Sequence, residues 1–204
     1  MNDSIKTRHD ALSEFRCSQI LTAARTVFAG KGYREATMDE IAEAAGVAKG
    51  TLYSYFPSKQ DVYVAVLNQG GKELLELTRA AVAAPGGFRA RVAQFIRTRV
   101  EYLDTHIEFF RIYQAELGNM THPAWVCPDF RARYARQMEM LTGLVREAAE
   151  RSETREAPAE VVACGIYEMT RGLLLQRIMT GVQRPAEVEA ETLAEILWRG
   201  LKAE

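Results

Sequence analysis

Residues 37–59 read TMDEIAEAAGVAKGTLYSYFPSK, and this stretch decides the fold. Thr37 stands where a helix N-cap is needed, and Glu40, three residues on, completes a capping box that satisfies two orphan backbone donors. Met38, Ile41, Ala42 and Ala45 then share one helical face. Gly46 ends that element, because glycine takes the left-handed conformation of a tight turn without a Cβ clash, and Val47 plugs the corner. A second short helix runs from Lys49 to Phe56, with Leu52 and Phe56 one turn apart and facing inward. Two short helices joined by such a turn make a helix-turn-helix.

Working outward, a preceding helix is expected over 13–29, with Ile20, Ala23, Ala24, Val27 and Phe28 on its apolar face and Gly30 and Gly32 as its stop. Downstream, Ser58 with Asp61 resembles a second cap, and a helix follows over 59–83 through Val62, Val66, Leu74, Leu75 and Leu77. Gly70-Gly71 weakens its middle and marks a candidate bend. The run Ala84-Pro85-Gly86-Gly87 is a clear seam. Beyond it, helical patterns occupy 88–104, 106–118, 128–151, 157–181 and 186–202, broken at Gly118-Asn119, His122-Pro123 through Pro128, 152–156 and 181–185. No stretch alternates with period two. The expected fold is all-α with about nine helices. A three-helix DNA-binding domain over 1–60, with Lys59 starting the connecting helix, precedes a helical ligand-binding and dimerisation domain over 61–204.

Composition sets limits. The 204 residues are 48% hydrophobic and 26% charged, with a net charge of −1. Residues 1–60 hold eight Lys/Arg against seven Asp/Glu, so affinity for a polyanion has to come from placement rather than bulk charge. Cys17, Cys127 and Cys164 are scattered and odd in number, which gives neither a disulfide framework nor a metal spacing. The N-terminus is polar, and no apolar run reaches roughly 18 residues. A reduced, cytoplasmic protein with no membrane partner is expected. Enzyme chemistry finds no footing: three scattered His and the absence of HExxH, GxSxG or a phosphate loop supply no nucleophile, acid/base pair or metal site, and His122 with Cys127 flanks prolines. No cofactor is expected.

With Leu52 and Phe56 turned inward, the second short helix leaves Lys49, Gly50, Thr51, Tyr53, Ser54 and Tyr55 outward. Lys ammonium groups, Tyr hydroxyls and helix N-termini donate to phosphates, Thr touches base edges or a thymine methyl, and Gly50 lets backbone approach a groove wall. A basic arm of Lys6, Arg8, His9 and Arg16 could enter a minor groove, but Asp3 and Asp10 dilute its charge, and a polar tail is the plainer expectation.

These residues resemble the DNA-binding domain of the TetR family of bacterial transcriptional regulators. The likeness lies in Phe28, Gly32, Tyr33, Thr37, Met38, Ile41, Ala42, Ala45, Gly46, Val47, Lys49, Gly50, Thr51, Leu52, Tyr53, Tyr55, Phe56, Ser58, Lys59 and Val62, over about residues 13–65. The resemblance implies that Thr37 meets a phosphate through its amide and hydroxyl. It places Lys49, Gly50 and Thr51 at the major-groove floor, with Tyr53, Tyr55 and Lys59 on phosphates. Ala48 departs from the family's frequent Ser, a loss of roughly 1 kcal/mol of capping.

One such helix reads few base pairs, so a homodimer on a palindromic operator in double-stranded DNA is expected, with half-sites about 34–36 Å apart. Gly165 and Gly172, seven apart amid Val161, Val162, Ile166, Met169, Leu173 and Ile178, offer a close helix approach, and Leu193, Ile196, Leu197 and Leu201 continue it. The resemblance also implies a small-molecule effector, apolar or amphipathic, that releases a repressor from DNA. Tyr102, His106, Phe109, Phe110, Tyr113, Tyr134, Met138, Tyr167 and Arg171 are the candidate contacts. Phe95 and Trp125 are further aromatics of that kind, and Arg99, Gln114, Glu116 and Glu168 are further polar candidates. Core packing is the plain reading of the aromatics, and a Glu168–Arg171 ion pair that of Arg171. An activator, or a constitutive repressor or chromosome-organising factor lacking an effector, shares every residue in this argument. Release of the DNA by a small molecule separates these readings.

Overall fold

The computed structural model describes residues 2–119, 128–182 and 184–203; His122, Pro123, Trp125 and Cys127 lie outside them. Nine helices occur among the described residues: α1 (Asn2–Glu35), α2 (Met38–Ala44), α3 (Lys49–Tyr55), α4 (Lys59–Val82), α5 (Phe88–Thr105), α6 (Ile107–Asn119), α7 (Pro128–Glu150), α8 (Ala159–Thr180) and α9 (Ala186–Leu201). Their bounds follow the expected seams except at α1. That helix begins at Asn2, so the stretch holding Lys6, Arg8 and His9 is helix rather than polar tail. Gly30 lies inside the helix, and the break falls at Gly32, whose φ of 78° and ψ of 167° leave helical geometry. Only a residue without a Cβ adopts that conformation at little cost. None of these helices is long and apolar enough to cross a membrane, among the described residues.

The chain divides by compactness into two units: Met1–Gly70 with Glu108–Cys127, and Gly71–Ile107 with Pro128–Glu204. In the first, Ile20, Ala24 and Phe28 of α1 bury against Met38, Ile41, Ala42, Leu52 and Phe56, so the expected core of the three-helix head is present. Tyr63 of α4 extends this core. Its ring meets Phe28 edge-on at 5.0 Å and Tyr33 at 4.7 Å, and its hydroxyl donates to buried Glu116 of α6 at 2.6 Å. α4 stays helical through Gly70-Gly71. A Cβ on Gly70 would overlap the Phe109 ring, and one on Gly71 would lie 2.7 Å from Arg133 Nε. Close packing beside α4 accounts for a glycine at each position.

In the second unit, α5 packs on α9 and α7 on α8. α5 buries Phe88, Val92, Phe95, Ile96, Val100 and Leu103, and α8 buries Ala163, Ile166, Tyr167 and Leu174. α5 has no local side-chain cap at Gly87; the Glu153 carboxylate accepts from Phe88 N at 2.6 Å instead. Arg177 of α8 is almost wholly buried, and it donates to Asp104 and Glu189 at 2.6 Å each and to the Arg184 carbonyl at 2.8 Å. Burial works against its charge, but hydrogen bonds to the two carboxylates more than offset that and raise its pKa.

Candidate nucleic-acid interface and effector region

The turn and its flanking helices are fixed by short-range bonds. Thr37, extended at φ −117° and ψ 156°, accepts from Glu40 N through Oγ1 at 3.3 Å, and its own amide donates to Glu40 Oε2 at 3.1 Å. The capping box is therefore complete, and it consumes the Thr37 amide that the family resemblance aims at a phosphate. Thr37 is exposed, and its hydroxyl, which accepts from Glu40, keeps its own donor capacity. Glu40 also accepts from Lys31, and that bond, followed by the Thr37 amide, holds its carboxyl below the usual range. The box is thus ionised and intact at neutral pH and is lost only as the pH falls through that lowered value.

Gly46, at φ 62°, turns the chain, with Val47 N bonding back to Ala42 O at 3.0 Å. Gln19 of α1 donates to Ala45 O at 3.1 Å and ties the turn to the first helix. α3 has Leu52 as its buried residue and Phe56 as its C-cap, while Ala48 supplies no side-chain cap. Lys49, Gly50, Tyr53 and Ser54 are exposed, and Thr51 and Tyr55 are half-buried. Neither tyrosine hydroxyl is hydrogen-bonded among the described residues. Lys49 pairs with Asp39 of α2 at 2.6 Å, an exposed contact whose hydrogen bond and charge raise the lysine pKa. Water or another anion can replace such a partner readily. A Cβ on Gly50 would meet nothing within 4 Å, so no packing inside the chain calls for glycine there.

Lys59 has partners within the chain. Its ammonium donates to the carbonyls of Ala36 at 2.8 Å and Arg34 at 3.0 Å, and it stands 4.9 Å from the centre of the Tyr33 ring. Two of its three N–H groups hold the bend between α1 and α2.

The residues expected at an effector divide between the two units. Phe109 and Phe110 are wholly buried and Tyr113 nearly so; all three belong to the first unit, with ring centroids 5.6–6.0 Å apart. The rest lie in the second. Tyr102 is buried, donates to Glu73 at 2.8 Å and stacks on His106 at 4.2 Å. His106 ends α5, its Nδ1 within 2.7 Å of Thr105 Oγ1 and 3.1 Å of the Tyr102 carbonyl, as a satisfied histidine would be. Both line a surface groove of about 730 Å³ with Glu73, Leu77, Gln94 and Thr98. Tyr134 and Met138 of α7 are half-buried, and Tyr134 meets the buried Tyr167 ring edge-on at 5.2 Å. Arg171 is bound to Glu168 at 2.6 Å, the plain ion pair of the sequence reading. Thr78 and Gln137 escaped that reading; both are buried polar residues at apolar positions of α4 and α7, a signal that helical spacing alone would have carried.

On α8, Val161 and Met179 are 67% and 77% exposed, and Leu175 is also exposed. Gly165 is half-buried and Gly172 exposed, with open space above both. Val161, Gly165, Gly172, Leu175 and Met179 fall on one stripe at helical spacing. Val188 and Ile196 of α9 are exposed, whereas Leu173, Leu193 and Leu197 are half-buried.

Known proteins carry the same architecture. Residues 20–66 match the family described as bacterial regulatory proteins, tetR family. The chain is 29% identical over 189 residues to the HTH-type transcriptional activator FasR of Mycolicibacterium smegmatis, covering 91% of this chain and 83% of that one. It is 32% identical over 105 residues to the HTH-type transcriptional repressor KstR2 of Rhodococcus jostii, about half the length of each. Among solved structures, the transcriptional regulator FadR from Bacillus subtilis in complex with stearoyl-CoA superposes with a TM-score of 0.78 at 20% identity, covering 90% of this chain and 98% of that one. Residues 20–66, with their capped helix-turn-helix, therefore carry the DNA-binding domain of the tetR family of bacterial regulatory proteins, and most of the chain's length is similar to an HTH-type transcriptional regulator.

Proposed function

We propose that two copies of this chain read a palindromic operator through their α3 helices, and that a small apolar or amphipathic molecule bound in the C-terminal helices releases them. One observation carries the DNA reading: α3 commits Leu52 to the interior and leaves Lys49, Gly50 and Tyr53 exposed, with Thr51 and Tyr55 half-buried beside them and Lys49 held only by an exposed partner. Thr51 and Lys49 set sequence preference, and Tyr53 and Tyr55 contribute phosphate affinity. Selection of bound duplexes from a random pool tests this, and the recovered site should be an inverted repeat.

Gly50 gives a sharper test. Glycine in a helix is less favourable than alanine by up to about 1 kcal/mol, and nothing inside the chain needs it. Gly50→Ala should therefore raise the unfolding midpoint slightly while weakening operator binding about tenfold or more, as the added methyl holds the backbone off the groove. Equal affinity for wild type and variant in fluorescence anisotropy would remove Gly50 from the interface.

Lys59 is assigned the part of a clip that sets the position of Thr37, in place of a phosphate contact. Lys59→Ala should lower operator affinity without changing the slope of log K against log salt, whereas a lost phosphate contact flattens it by about one unit.

The dimer is supported by the bare stripe on α8, where Gly165 and Gly172 would admit a partner helix closely beside Val161, Leu175 and Met179. Leu173, Leu193 and Leu197 would flank it from half-buried positions. Sedimentation giving a monomer at micromolar concentration would defeat that assignment. FasR is an activator and KstR2 a repressor, so similarity to them leaves both signs of control open; repression is proposed here, and a reporter assay with the selected operator decides it.

A further inference from the structure

Arg99 of α5 is fully buried and heads the large side chains of the interior. Its guanidinium lies 4.8 Å from the ring centre of Tyr167 and 5.6 Å from that of Phe95. Nη1 donates to Gln137 Oε1 at 3.2 Å, and Gln137 Nε2 donates onward to Thr78 Oγ1 at 3.4 Å. Nε and Nη2 have no acceptor among the described residues, and no carboxylate there pairs with the charge. The contrast with Arg177 is direct: buried to a similar depth in the same unit, it has two carboxylates and a carbonyl. A buried cation without a counter-charge is among the most costly things a core can hold, and two ring faces offset only part of that cost.

The vacant atoms form one edge of the guanidinium. Nε–H and Nη2–H are the parallel pair that meets both oxygens of a carboxylate side-on. We propose that Arg99 anchors the carboxylate of an apolar organic acid, which is the effector of the C-terminal helices. This rests on the effector reading above. One guanidinium balances one negative charge, whereas a phosphomonoester carries nearly two near neutrality and would leave the excess buried. The apolar body suits the neighbours, Phe95, Tyr167 and Tyr134. Gln137, itself buried, shares the α7 face of Tyr134 and Met138, which are both half-buried.

The test uses the full-length protein with its selected operator, and octanoate, palmitate and phenylbutyrate as probes. Their methyl esters, dodecyl phosphate and palmitoyl-CoA are the comparison arms. At least one acid should bind the wild type by calorimetry and release the operator, with its ester weaker by about tenfold or more. Arg99→Met should abolish the difference between acid and ester, and Arg99→Lys, which keeps the charge but not the fork, should fall between. Without ligand, Arg99→Met should unfold at the same or a higher temperature than wild type, because an unpaired charge has been removed; a clear fall would make Arg99 a structural residue and overturn the proposal. It is also overturned if acids and esters bind alike, if dodecyl phosphate or palmitoyl-CoA releases the operator while all acids are inert, or if Arg99→Met keeps its preference for acids. Should the operator stay bound under a wide screen of small molecules, the effector reading fails with it; release by uncharged compounds alone sinks only the carboxylate anchor.

Discussion

Alanine at Leu52 should cost the N-terminal unit about 2–5 kcal/mol and take operator binding with it. α3 is seven residues long, lacks a side-chain cap at Ala48, and is far too short to persist by its own propensity. It is held by Leu52, which has no exposed surface, and by Phe56 just beyond its end. Truncating Leu52 opens a void in the buried core of the three-helix head, and the helix that should read DNA loses its seat. Urea unfolding followed by circular dichroism measures the first effect, and anisotropy with labelled operator the second. Tyr53→Phe is the control. It removes an outward hydroxyl, so stability should hold while affinity drops modestly. If Leu52→Ala bound its operator like wild type, α3 would not depend on this seat and its assignment as the reading helix would fail.

Arg177→Ala should destabilise the C-terminal unit by about 3–5 kcal/mol, because it strands the Glu189 carboxylate in the interior. Arg184 stands 3.9 Å from Glu189 but is itself largely exposed, so it compensates weakly. Asp104 is partly solvated and tolerates the loss better. The double variant Arg177→Met with Glu189→Leu should recover most of the stability, since apolar replacement of a buried pair is often close to neutral. The measurement is the thermal midpoint of both variants at fixed protein concentration. A double variant no better than the single one would show that the pair organises the α8–α9 corner beyond its own charge balance.

Helix positions, the capping box at Thr37, the turn at Gly46 and the inward pair Leu52 and Phe56 were all legible in the sequence. These features depend on neighbours within one or two turns, and helical period and cap chemistry report such neighbours directly. The order of residues 28–62 was enough to name the family. Tertiary structure alone decided which polar groups are already spent. Lys59 answers to carbonyls more than twenty positions away, the Thr37 amide belongs to Glu40, and Lys49 meets Asp39 across the turn. It also decided why Gly70 is a glycine, since the Phe109 ring that excludes a methyl arrives from α6. Phe109, Phe110 and Tyr113 joined the first unit, and Tyr134, Met138 and Tyr167 the second. Arg99 ended in an apolar interior, where its charge faces two rings and one amide. Period tells which way a side chain points along its own helix; what waits there comes from a segment far along the chain, and burial, pairing and vacancy are properties of that meeting.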